Sequence, residues 1–147
     1  MPGWRVGMCV SNATWVQWIL KVKSNIDSGT FRGIQLAAAE ALVGNDPMWH
    51  AKYNNEVYLQ RRTIAEKIMK AVGCTFDPQQ TGMFLWGRIP DEYADAEQLT
   101  EQLLHQYGVF VTPGFVFGSN GKRYMRISLC TKKERMEEAL QRIIGNK

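Results

Sequence analysis

The chain has 147 residues, 45% hydrophobic and 11% aromatic, with 18 lysines and arginines against 14 aspartates and glutamates for a net charge of +4. That length and apolar content suit one soluble globular domain with a real core. No apolar run approaches the ~20 residues that span a bilayer, and the opening MPGWRVGMCV lacks the order of a signal peptide, so no membrane partner and a cytoplasmic location are expected.

In chain order, Trp4 to Val10 has strand character, and the polar corner Ser11-Asn12 opens a helix near Ala13 with Trp15, Ile19 and Val22 at helical spacing. The turn formers SNIDSGT, residues 24 to 30, end it. A second helix, Phe31 to Val43, carries Ala37, Ala38, Ala39 and Ala41 and stops at Gly44. Asp46-Pro47 then starts a long helix, the aspartate capping free backbone donors and the proline suiting the first helical position. Its apolar stripe of Tyr53, Val57, Ile64 and Ile68 runs to Val72, with Gly73 as the stop.

Cys74 to Asp77 reads as a short extended piece, and Pro78 to Gly82 turns the chain into a strand from Met83 to Ile89, closed by Pro90-Asp91. Asp95 to Tyr107 is a helix with Leu99, Leu103 and Tyr107 on one face and Gly108 behind it. Val109 to Thr112 follows as a strand, and PGFVFGSNG is a glycine-punctuated connection. From Tyr124 the residues alternate, with Met125, Ile127 and Leu129 on one face and Tyr124, Arg126 and Ser128 on the other, the period of a strand. The arginine must meet water or a partner anion, because an unpaired buried charge is too costly to keep. The last helix opens on Thr131-Lys132-Lys133-Glu134 as a capping box and buries Met136, Leu140, Ile143 and Ile144.

Three cysteines, Cys9, Cys74 and Cys130, are odd in number and widely spaced in apolar contexts. They read as reduced core thiols, with neither a disulfide framework nor metal-ligand spacing, so no metal site is expected. The basic pairs Arg61-Arg62 and Lys132-Lys133 fall within expected helices beside glutamates, as solvated faces do, and no nucleic-acid partner is expected. Trp4, Trp15, Trp18, Trp49 and Trp86 suit core or interdomain packing. His50 and His105 lack acidic or cysteine partners nearby, so neither is read as a general base.

The second half is thus helix, strand, helix, strand, strand, helix, a small α+β unit. The first half offers one strand and two helices, and a single strand cannot satisfy its own edges.

Two arginines stand where an anion could be held: Arg5 in GWRVG and Arg126 in YMRIS. A planar guanidinium gives a carboxylate or phosphate two parallel bonds that lysine cannot match, although an arginine near a strand end, taken singly, is more often an ordinary surface or salt-bridge residue. Their settings, MPGWRVG and GVFVTPGFVFGSNGKRYMRIS (residues 108 to 128), resemble segments from the C-terminal part of the class I/II aminotransferases, pyridoxal-phosphate enzymes of fold type I. SNIDSGTFRGIQLAAAEAL, the helix after Asp46-Pro47 and TGMFLWGRIP fall in the family's order, so the resemblance is close to full length.

The resemblance implies an α/β chain: residues 1–45 as a remnant of the large cofactor-binding domain, and residues 46–147 as the α+β small domain, about three strands covered by helices. It implies that Arg5 binds the cofactor phosphate and Arg126 the substrate α-carboxylate, in a homodimer moving an amino group between an amino acid and a 2-oxo acid. Asn25 to Gly29 resemble the loop that reaches toward the neighbouring subunit, though turn chemistry explains them equally well. The family's Schiff-base lysine, expected just before Met1, is missing, as are the aromatic that stacks on the cofactor ring and the acid that pairs with its nitrogen. Lys21, Lys23 and Lys52 read as solvated. The chain is therefore expected to contribute no catalytic residue, to lack its N-terminal large-domain partner, to bind no pyridoxal phosphate alone and to be inactive alone. The alternative is a stand-alone, non-catalytic carboxylate-binding or interaction module, which would require the Trp4 to Val10 strand to be fully paired.

Overall fold

The computed structural model describes residues 2–44 and 47–145, which leaves the cap expected at Asp46 outside the described residues, along with the side chains of Trp49 and His50. The chain forms two compact units, Met1–Trp49 and His50–Lys147.

In the first unit, α1 (Ala13–Ile26) starts where Asn12 accepts a hydrogen bond from the Trp15 amide at 3.1 Å, a side-chain N-cap. After it comes α2 (Arg32–Val43), ended by Gly44 in a right-handed conformation. The strand expected from Trp4 to Val10 does not form: Pro2–Trp4 is a 3-10 turn, and no described strand pairs with the residues that follow. Extended backbone becomes a strand only when a neighbour takes up its hydrogen bonds. None of the described side chains of this unit is buried, and Trp15 and Trp18, in edge-to-face contact at 5.1 Å, are 54% and 57% exposed. The tryptophans expected to pack therefore stand on an open apolar face with Ile19, Val22 and Ile26.

The second unit holds the core. The helix after Pro47 is interrupted: α3 (Pro47–Tyr53) passes through a π-helical turn, Asn54–Tyr58, into α4 (Leu59–Ala71). Of its expected stripe, Ile64 and Ile68 are buried, Val57 is half-buried and Tyr53 is exposed. Gly73 takes the left-handed conformation (φ 77°), and the Cys74 amide closes back onto the Met69 carbonyl at 2.9 Å. Next come β1 (Phe84–Arg88), α5 (Ala96–Tyr107), β2 (Thr112–Pro113), β3 (Tyr124–Ser128) and α6 (Lys133–Gly145). The sheet has the order β1-β3-β2 and is antiparallel throughout. Met69, Leu85, Leu99, Leu103, Met125 and Ile143 fill the interior between sheet and helices.

Local chemistry sets the ends of α5: Asp95 caps the Gln98 amide at 3.1 Å, Gln98 accepts from the Ala94 amide, and Gly108 (φ 64°) closes the C-terminus. Other expectations shift. The strand from Val109 shrinks to Thr112–Pro113, because only there does the backbone lie against β3. The Thr131 capping box does not form: α6 starts at Lys133, one residue late for that register, and Ile144 faces outward, 44% exposed. Cys9 and Cys130 are exposed, and Cys74 is the one buried thiol among the three. Nor are Arg61 and Arg62 solvated: Arg61 donates to the Leu129 carbonyl at 3.1 Å, and Arg62 holds Glu66 at 2.9 Å and the carbonyls of Pro78 and Gln80.

Candidate anion-binding site

Arg126 sits at the middle of the central strand, opposite Trp86 of β1 and Thr112 of β2. Strand alternation sends Met125 and Ile127 into the core and leaves Arg126 half-buried on the other face. There its guanidinium carbon lies 4.0 Å from the ring centres of both Phe84 and Phe117, with Trp86 at 6.0 Å. Phe84 arrives by β1 register. Phe117 arrives through the Pro113–Gly121 connection, in which a side chain on Gly114 would run into the Gly121 carbonyl and stand 2.6 Å from the Tyr124 carbonyl oxygen. Only glycine allows that crossing, which brings Phe117 back over β3 and sets its ring 5.4 Å from Trp86.

Two aromatic faces hold the guanidinium by cation–π attraction without consuming its hydrogen-bonding edge. Its Nε is buried and has no hydrogen-bond partner among the described residues, and no carboxylate neutralises Arg126 there. A positioned, unspent fork of N–H donors is suited to a planar carboxylate.

Arg5 lies in the first unit, exposed, directly after the Pro2–Trp4 turn and in the left-handed backbone region (φ 58°). It is thus at a turn and not, as expected, at the head of a strand. In the Asn25 to Gly29 loop, Asp27 accepts from Lys23 at 2.7 Å and from the Gly29 amide at 2.9 Å. The Lys23 hydrogen bond, helped by the Gly29 amide, lowers the Asp27 pKa below the usual carboxylate value. Lys21, Lys23 and Lys52 are exposed on helices. His105 does have an acidic neighbour, Glu101 at 3.0 Å one helical turn back, in an exposed pair that itself lines none of the described clefts.

The family model for aminotransferase class I and II matches residues 1–143. The chain belongs to the class I and II aminotransferases. Among curated relatives it is 38% identical over 143 residues to the LL-diaminopimelate aminotransferase of Oleidesulfovibrio alaskensis, covering 97% of this chain and 36% of that protein. It is 35% identical over 147 residues to the enzyme of the same name from Dehalococcoides mccartyi, covering 37% of it. Among solved structures, an aminotransferase from Staphylococcus aureus matches 99% of this chain and 38% of its own with a TM-score of 0.78 at 31% identity. BacF from Bacillus subtilis matches 97% and 36%, with a TM-score of 0.76 at 33% identity. The chain therefore spans little more than a third of the length of these relatives, and its α/β architecture is that of the matched part of their fold.

What sequence reading missed is the aromatic clamp. Phe84 and Phe117 are separated by 33 positions and meet on Arg126 only through the β1–β3 register and the Gly114–Gly121 crossing. The glycines of PGFVFGSNG were the available signal, since a close backbone approach needs them.

Proposed function

We propose that this chain is the part of an aminotransferase that grips the substrate's α-carboxylate through Arg126. On this reading residues 46–147 are the small domain, residues 1–45 belong to the large domain, and the parent enzyme moves an amino group between an amino acid and a 2-oxo acid. The observation that carries it is the clamped, unneutralised guanidinium of Arg126 on the central strand. The resemblance to LL-diaminopimelate aminotransferases supports an amino-acid substrate.

Pyridoxal phosphate is the family's cofactor, and when bound it supplies the electron sink for amino-group transfer. Of the residues in this chain only Arg5 is proposed to touch it, through the phosphate, and one exposed arginine does not make a site for the group. The chain's own residues bind and orient: the fork of Arg126 fixes a carboxylate, and its two aromatic walls keep the fork from turning away. No described lysine is buried, so none has the desolvated amine that nucleophilic chemistry favours. The isolated chain is expected to bind carboxylates and to show no transamination.

The side-chain Nε–Hε resonance of Arg126 tests this directly. Titration with butyrate should move it saturably, and Arg126→Lys, which keeps the charge but loses the fork, should weaken binding by about tenfold. An Arg126 resonance that stays in place throughout the titration overturns the reading.

A further inference from the structure

In a continued ladder Val111 would face Ile127 and Phe110 would face Ser128, but β2 begins only at Thr112. The Leu129 amide reaches the Met83 carbonyl at 2.9 Å and the Arg123 carbonyl accepts from the Ile89 amide at 3.0 Å, both on the β1 side. Successive residues of a strand turn their backbone groups to opposite sides, so the N–H of Ser128 faces the β2 side, where no described bond takes it up. The Ser128 hydroxyl is spent locally, accepting from the Cys130 amide at 3.2 Å. A backbone donor is thus left without a partner at the edge of the sheet.

A cleft of about 240 Å³ opens at this point, between the 109–112 segment and α6. Its apolar floor is Ile68, Val111, Ile127 and Met136, core side chains whose edges line it. Arg135 and Ala139, four positions apart and so on one face of α6, form the helix wall, and Thr131 stands before them. Helical side chains lean toward the N-terminus of their helix, which carries Arg135 back toward Thr131 and Ser128. Arg135 has no hydrogen-bond or ion-pair partner among the described residues, and Glu138, three positions on, is taken by Arg142 at 2.5 Å. The lining holds no acid. The Arg126 guanidinium is no part of this arrangement: Phe84 and Phe117 hold it on the other face of β3, and neither ring lines the cleft.

We propose that this cleft is a second anion site, separate from that of Arg126, for a small monocarboxylate with an apolar tail. The carboxylate lies among the Arg135 guanidinium, the Ser128 N–H and the Thr131 hydroxyl, and the tail lies over Ile127 and Met136. A cation beside an apolar floor selects that combination, because the anion meets donors that no other group uses and the chain covers surface otherwise left against water. The volume exceeds the ~150 Å³ at which an apolar cavity already takes up benzene, so a chain of about six carbons fits. The site does not depend on the assignment of Arg126.

Hexanoate and hexanol, which share a chain and differ in charge, test the site when titrated into the full 147-residue chain and followed residue by residue by NMR. Hexanoate should saturably move the Arg135 Nε–Hε and Ser128 amide resonances and the methyls of Val111 and Ile127. At these residues it should bind at least about tenfold more tightly than hexanol, the worth of one charge-assisted hydrogen bond. Arg135→Gln, at an exposed helix position where folding is little affected, should weaken hexanoate there about tenfold and leave hexanol unchanged. Arg126→Gln should leave the Val111 and Ile127 shifts in place, with dispersed amide signals confirming its fold. If hexanoate moves the Arg126 resonance alone, or binds the cleft of Arg135→Gln as tightly as that of the wild type, the second site is wrong while the Arg126 assignment stands. Equal affinity for hexanol would reduce the cleft to an apolar groove and overturn its choice of an anion. Loss of the Val111 shifts in folded Arg126→Gln would show one site instead of two, which overturns the proposal as well.

Discussion

Cys74 shows how burial sets the chemistry of a single group. It lies against Met125, with sulfur atoms 3.6 Å apart, and its Cβ sits close to Gly87, where any side chain would collide with Met69. Exclusion of water penalises the thiolate and pushes the thiol pKa up from 9.0 to about 12. Between those values the unfolded chain has released its proton while the folded chain retains it, so stability falls as pH rises through that window. Urea unfolding at several pH values should show an alkaline decline that is shallower in Cys74→Ala, whatever the cavity costs at neutral pH. Parallel slopes for the two proteins would show that Cys74 does not set the decline. Arg126 is the counterpart at the same scale: its charge is kept by aromatic walls that attract a cation and leave its donors free. The alternation around Arg126 was legible in the sequence because a strand's period is local. Its clamp was not, since Phe84 comes from a distant strand through the β1–β3 register and Phe117 folds back through the Gly114–Gly121 crossing.

The same division between local and distant causes runs through the elements. Helices whose ends are set by neighbouring residues, such as α1 with Asn12 and α5 with Asp95 and Gly108, could be read from the chain because cap and helix lie within four positions. What could not be read is how β1 is finished on its outer edge. Thr75 exchanges two backbone bonds with Arg88, at 2.9 and 2.7 Å, and then the chain leaves the sheet. Gln80 takes over with its carboxamide, accepting from the Trp86 amide at 2.8 Å and donating to the Trp86 carbonyl at 2.9 Å, as a strand residue would. Arg62 in turn holds the carbonyls of Pro78 and Gln80, which keeps that side chain in place. A helix arginine, a turn glutamine and a strand tryptophan are joined by contacts 6 to 18 positions apart that no periodicity marks. Gln80→Ala should expose two half-buried backbone groups and cost about 1–3 kcal/mol in urea unfolding, with an unchanged denaturant slope. A loss below about 0.5 kcal/mol would mean that water replaces the carboxamide without penalty.

At the scale of the molecule, the placement of apolar burial decides which parts are held cooperatively. Among the described residues the buried hydrophobic side chains run from Ile64 to Ile143, all in the second unit. In the first unit α1 and α2 are 14 and 12 residues long and bury no described side chain. Helices of about that length are marginal in water on propensity and capping alone, so α1 and α2 lack the packing that gives β3 and α5 their stability. Hydrogen exchange should therefore separate the units: amides in 13–43 should exchange roughly a hundredfold or more faster than those of Met125, Ile127, Leu99 and Leu103, whose opening requires global unfolding. Added denaturant should accelerate the slow set steeply and the fast set little, because little surface is uncovered when α1 or α2 opens. Equal protection across both units would show that the open apolar face of Trp15, Trp18 and Val22 is covered in solution, and light scattering would then reveal whether a second copy of the chain covers it.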